Sequence, residues 1–150
     1  MKKKPQRTRQ SPVRKAPKKP SKSPPARHVP TRGLHGHITH TDLASTDPGA
    51  TIAWCTRVFG WTFKPSIPTP NGSYHLFAYS DTGGGGIRST TPPEVPGCVP
   101  FVHVADAQGA FDAALRAGAE PVQPPERVME GVTVAVVRAP GGVTIGLSGP

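Results

Sequence analysis

Residues 47–63 read Asp-Pro-Gly-Ala-Thr-Ile-Ala-Trp-Cys-Thr-Arg-Val-Phe-Gly-Trp-Thr-Phe, a stretch that marks both ends of a helix. Asp47 offers a side-chain oxygen to the first unbonded N–H groups, Pro48 has the fixed φ suited to a first helical residue, and Gly60 supplies the stop. Between them Ile52, Cys55, Val58 and Phe59 recur at helical spacing and are expected to face a core. Upstream, Leu34–Leu43 alternates as a strand does. Downstream, Trp61-Thr62-Phe63 reads as a short second strand, and prolines 65, 68 and 70 with Asn71-Gly72 read as a loop. Tyr74–Ser80 is a third strand, Gly83–Gly86 a flexible turn, and Ile87–Thr90 a weakly marked fourth strand.

The same order then repeats. Val99–Val104 is rich in β-formers, and Asp106 can cap a helix whose Ala110, Phe111, Ala114 and Leu115 share one face, with Gly118 as its stop. Glu120–Gln123 is a short strand and Val132–Arg138 a longer one, and Pro140-Gly141-Gly142 turns the chain into Val143–Ser148 as a hairpin. Strand, helix and three strands therefore occur twice. In one short domain that arrangement sets both helices on one side of the sheets and leaves the other side to enclose something.

Charge divides the chain. The formal net charge of the 150 residues is +9, yet residues 1–32 hold 12 of the 18 Lys and Arg and none of the Asp and Glu. Residues 33–150 carry six cations against nine anions, a mildly acidic body. The first segment has seven prolines and almost no apolar side chains, so burial cannot offset its ordering entropy, and composition predicts disorder. Its spaced cations without aromatics suit sequence-independent contact with nucleic-acid phosphates; a solvated tail of no specific use is the other reading. No apolar run approaches the ~20 residues that span a bilayer, and no apolar segment follows the basic start, so neither a membrane nor a secreted protein is expected. Two cysteines without close spacing, Cys55 in a helix and Cys98 in a Pro-Gly loop, suit a reducing, cytoplasmic compartment.

Val58-Phe59-Gly60-Trp61-Thr62-Phe63 and Pro140-Gly141-Gly142-Val143-Thr144-Ile145-Gly146-Leu147, in this order and spacing, resemble the vicinal oxygen chelate superfamily of glyoxalase and bleomycin-resistance-like domains. The resemblance covers about residues 34 to 149. It implies an α+β fold in which two paired βαβββ modules form a cupped mixed sheet, commonly in a homodimer. It also implies a divalent metal held by four strand residues in the metal-dependent members. Carried over, those positions fall at Ile38, at Val99, near Ile87 and Arg88, and at Gly146, and aliphatic or glycine residues offer no donor atoms. The resemblance is therefore to the metal-free branch, which includes drug-sequestering proteins, and no metal or other cofactor is expected. A rival cluster, His35, His37 and His40, places two imidazoles on one face of an extended strand and the third on the other.

Alternation proposes the lining of the cup: Ile38, His40 and Asp42 from the first strand, Val99, Phe101 and His103 from the fifth. Asp42 and His103 then occupy equivalent places in the two modules, and a carboxylate beside an imidazole suits a general base; a structural hydrogen bond, or no contact, is the alternative. Trp61, Phe77 and Tyr79 are candidate aromatic walls or plain core, and Arg88 a candidate partner for an anionic ligand or a solvated arginine. Three functions follow: metal-independent binding of a small, largely apolar or aromatic molecule; a glyoxalase-type lyase, isomerase or dioxygenase; and a nucleic-acid-associated ligand-binding protein.

Overall fold

The computed structural model describes residues 35–81 and 83–150. The segment of residues 1–32, with its expected disorder and nucleic-acid contact, lies outside the described residues. The first module runs β1 (Ile38–Ser45), α1 (Pro48–Phe59), β2 (Thr62–Phe63), β3 (Ile67–Thr69), β4 (Gly72–Ala78) and β5 (Gly84–Ser89). The second runs β6 (Gly97–His103), α2 (Ala107–Arg116), β7 (Glu120–Met129), β8 (Val132–Arg138) and β9 (Thr144–Gly149). Eight of the strands lie side by side as β2-β4-β5-β1-β6-β9-β8-β7, and β3 pairs with β4. The sheet is mixed and open. Within each module the first and last strands pair in parallel, β1 with β5 and β6 with β9, and the modules join through the antiparallel pair β1–β6.

Both helices begin as their residues dictate. The Asp47 carboxylate accepts the Ala50 N–H at 2.9 Å, and the Asp106 carboxylate accepts that of Gly109 at 3.0 Å. Gly60 closes α1 in the left-handed region at φ 68°, its N–H donating to the Thr56 carbonyl at 3.0 Å. The principal core lies under α2, where Ala107 and Phe111 meet Val104, Ala135, Val137 and Leu147. Burying Phe111 alone contributes roughly 1.5–3 kcal/mol.

Four expectations change. The Gly83–Gly86 run is not a flexible turn: Gly84–Gly86 open β5 in the interior of the sheet, paired to β4 on one side and β1 on the other. Glycine is needed there because neighbours fill the space of a Cβ, the Phe77 ring and Thr41 carbonyl at Gly85 and the Tyr74 ring at Gly86. The proline-rich loop contains β3, tolerated because an edge strand need not use every N–H, and β7 continues past Gln123 to Met129 through bulges around its prolines. Finally, Val58 and Phe59 are half-exposed while Cys55 is buried. Phe59 sits at the end of α1, where its ring meets Trp54 edge-on at 5.0 Å and tilts against Trp61 at 5.4 Å.

Candidate binding site

The sheet face opposite the helices is fixed by alternation. Val104, Ala135, Val137 and Leu147 pack on α2, so their strand neighbours His103, Val134, Val136 and Gly146 point the other way. On that face β1 presents His40 and Asp42, and β6 presents Phe101 and Val99 in register with them. Tyr74 of β4 and Arg88 of β5 complete the group. A bulge between Ile38 and His40 puts Ile38 in register with Val102 instead, so Ile38 leaves the face on which its position implied it.

These residues form two hydrogen-bonded groups, His40 with Tyr74 and Asp42 with Arg88 and Glu94. His40 Nε2 lies 2.7 Å from the Tyr74 hydroxyl, with the two rings stacked at 6.1 Å. The Phe101 ring stands edge-on to His40 at 5.8 Å. Arg88 Nε donates to Asp42 Oδ2 at 2.9 Å, and its two terminal nitrogens donate to the Glu94 carboxylate at 2.7 Å each. Glu94 is held in turn by the Thr91 N–H at 3.1 Å. Asp42 is only 9% exposed, and its second oxygen, Oδ1, is buried without a hydrogen-bond partner.

The electrostatics follow from this packing. Burial lowers the basicity of His40 more than nearby Asp42 restores it, which favours the neutral imidazole. Burial, then the adjacent Asp42 charge, raises Tyr74 far above the usual phenol range, so it stays a hydroxyl. The Arg88 fork holds the Glu94 carboxyl below its ordinary value.

Of the residues proposed from sequence, His40, Asp42, Arg88 and Phe101 come together. His103 does not reach Asp42: Asp42 is in register with Val99, four residues back along β6, a separation of about 13 Å. The two are equivalent by module but sit toward opposite ends of antiparallel strands. Trp61, Phe77 and Tyr79 lie on the other face. Phe77 is three residues from Tyr74 along β4, which reverses its direction, and it stacks on Trp61 at 4.2 Å beside the end of α1. Tyr79 tilts against Phe77 at 6.2 Å in the same aromatic cluster. Two residues of the site were not anticipated. Tyr74 was signalled by the glycine run, since a glycine inside a strand marks a neighbour that needs its space; Glu94 had no local signal.

The positions that carry metal ligands in metal-dependent relatives do not fit a divalent ion. Gly146 has no donor, and the Phe101 ring fills the space where a Cβ would stand. Ile87 is fully buried, and among the described residues no three His, Cys, Asp or Glu side chains converge. His35 and His37 are exposed and precede β1, whereas His40 is engaged with Tyr74.

Residues 37–147 match the family model of the Glyoxalase/Bleomycin resistance protein/Dioxygenase superfamily. The chain belongs to that superfamily. None of the curated proteins matches it. Among solved structures, methylmalonyl-CoA epimerase from Mycobacterium tuberculosis superposes with TM-score 0.62 at 18% identity, over 83% of this chain and 95% of that one. A variant of the Streptomyces coelicolor methylmalonyl-CoA epimerase in complex with 2-nitronate-propionyl-CoA gives 0.58 at 16%, over 77% and 97%. A hypothetical protein from Bacillus halodurans C-125 gives 0.61 at 12%, over 75% and 93%. At these identities the likeness shows a shared fold.

Proposed function

We propose that this superfamily member binds a small, largely apolar or aromatic molecule on the concave face of its sheet and does so without a metal ion. The observation that carries the reading is the sheet face opposite the helices, where the rings of Tyr74, His40 and Phe101 pack beside the Asp42–Arg88 pair. Rings with a few fixed polar groups among them are the usual lining of a small-molecule site. The absence of donor side chains at Val99 and Gly146 supports metal independence. Thermal-shift measurements on the full chain with a panel of aromatic fragments, with and without EDTA, test it. Stabilisation by fragments that survives EDTA is expected; indifference to every fragment, or stabilisation by metals alone, would overturn it.

A second reading, proton transfer on the bound molecule, is favoured by a separate observation. A neutral imidazole and a phenol share a hydrogen bond beside a carboxylate, which places an acid and a base on one face. The epimerase neighbours suggest its specific form, isomerisation of an acyl-CoA. Hydrogen–deuterium exchange into methylmalonyl-CoA, followed by NMR, should appear under this reading, and its complete absence would remove that form.

A further inference from the structure

We infer that Asp42 and Tyr74 are positioning residues that hold His40 with its ring proton on Nε2, so that Nδ1 is the atom that takes a proton from a bound molecule. The inference deepens the proton-transfer reading and rests on it for its use. Its starting point is the difference between the two ring nitrogens. Nε2 lies 2.7 Å from the Tyr74 hydroxyl oxygen. Nδ1 has no hydrogen-bond partner among the described residues, and it is not sealed in either, since the buried side-chain nitrogen or oxygen atoms without a partner there come down to Asp42 Oδ1. One nitrogen is anchored and the other keeps exposed surface.

A hydroxyl has one proton to give, and two acceptors compete for that of Tyr74. Asp42 Oδ2 is taken by Arg88 Nε, while the terminal nitrogens of Arg88 are held on Glu94 and do not reach Oδ1. The donor left for the carboxylate is Tyr74, which burial, the Asp42 charge and hydrogen bonding to Asp42 together raise. A hydrogen bond to a charged acceptor is roughly twice as strong as one between neutral groups, so the phenol proton turns to Asp42 and not to His40. The Tyr74 oxygen then accepts, and Nε2 must donate to it. Packing keeps this order: the Tyr74 ring lies over Gly86 and stacks on His40 at 6.1 Å, and the Phe101 ring stands edge-on to His40 at 5.8 Å.

In the step itself the bond from hydrogen to the bound molecule breaks, its electron pair stays on the molecule, and the proton joins the Nδ1 lone pair. The imidazolium charge is steadied through Nε2–H, the Tyr74 hydroxyl and the Asp42 carboxylate in series. Return of the proton from Nδ1 restores the ring, so no second reactant is needed.

Long-range proton–nitrogen NMR of the full chain, labelled with nitrogen-15 at histidine and kept above the pH at which His40 titrates, reads which ring nitrogen carries the proton; His40→Gln identifies the signals. The ratio of Nε2–H to Nδ1–H should be about tenfold or more higher in the folded wild-type chain than in the same chain unfolded in urea, the increment of a hydrogen bond tied to a charged group. In Asp42→Asn the amide oxygen can serve Arg88 and the amide nitrogen Tyr74, which frees the phenol proton for His40, and the ring proton should move to Nδ1. In Tyr74→Phe the link is gone, and the ratio should fall toward that of the unfolded chain. A ratio in the fold no higher than in urea, or one unchanged by either substitution, overturns the inference and leaves the proton-transfer reading to its own exchange measurement. The comparison within the wild-type chain decides the matter even if a variant does not fold.

Discussion

Replacing Gly86 by alanine tests whether the Tyr74 ring, and with it the His40 hydrogen bond, depends on a missing side chain. A Cβ at position 86 would stand 2.5 Å from the Tyr74 hydroxyl oxygen and closer still to the ring carbons, whereas non-bonded carbon contacts settle at about 3.5–4.0 Å. The ring must therefore retreat by about 1 Å or more. His40 Nε2 is only 2.7 Å from that hydroxyl, so the displacement stretches the bond beyond useful length. Overpacking costs about 1–3 kcal/mol and a lost neutral hydrogen bond about 0.5–1.5 kcal/mol, giving a destabilisation of about 1.5–4.5 kcal/mol. Urea unfolding at 25 °C measures it. The same substitution in a Tyr74→Ala background should cost nothing, and should gain about 0.5–1 kcal/mol, because alanine loses less backbone entropy than glycine in a strand. If Gly86→Ala costs the same in both backgrounds, the glycine serves the backbone and not the ring, and the argument for a templated site is refuted.

Three further outcomes follow from the same geometry. Arg88→Lys keeps the charge but loses the fork, so it should destabilise by about 1–3 kcal/mol through the abandoned Asp42 carboxylate, while Glu94→Gln, at the more exposed end, should cost less than about 1 kcal/mol by the same urea assay. Stability should fall with acidification in two steps. His40 in the fold titrates below its ordinary 6.5, so the unfolded chain binds the proton first, and stability declines from about pH 6.5 down to the depressed value. Glu94, held below its ordinary 4.5 by Arg88, adds a loss that begins near that pH. His40→Gln should remove the upper step and leave the lower; a rise in stability between pH 7 and pH 5 would contradict the assignment. Titration of the native chain with a thiol reagent should modify exposed Cys98 well before Cys55, which is 3% exposed, and both should react together in denaturant.

The elements were legible where local chemistry fixes them. Asp47-Pro48 and Gly60 mark the ends of α1, Asp106 and Gly118 those of α2, and alternation along Val132–Arg138 reads directly as β8. The site was legible only in part. Alternation placed His40, Asp42 and Phe101 on one face because neighbouring strands keep opposed residues on the same side of a sheet. It could not pair Asp42 with the right partner. Matching the modules by sequence suggested His103, but antiparallel pairing of β1 with β6 sends equivalent residues apart and brings Arg88 of β5 alongside instead. The aromatic walls were misplaced for a related reason: Trp61, Phe77 and Tyr79 are the more conspicuous rings, yet strand parity sends Phe77 to the helix side and Tyr74 to the cup.

By itself, then, the sequence determined the order of strands and helices, the caps that bound the helices, the doubling of the module and its family resemblance, and the division of charge between residues 1–32 and the acidic remainder. These are properties of neighbours along the chain, or of composition, and need no knowledge of what folds against what. Tertiary structure alone decided that Gly86 makes room for Tyr74, that Phe101 fills the place of a side chain at Gly146, and that Glu94 occupies the fork of Arg88. Each is a contact between strands or loops remote in sequence, whose register depends on how the whole sheet pairs.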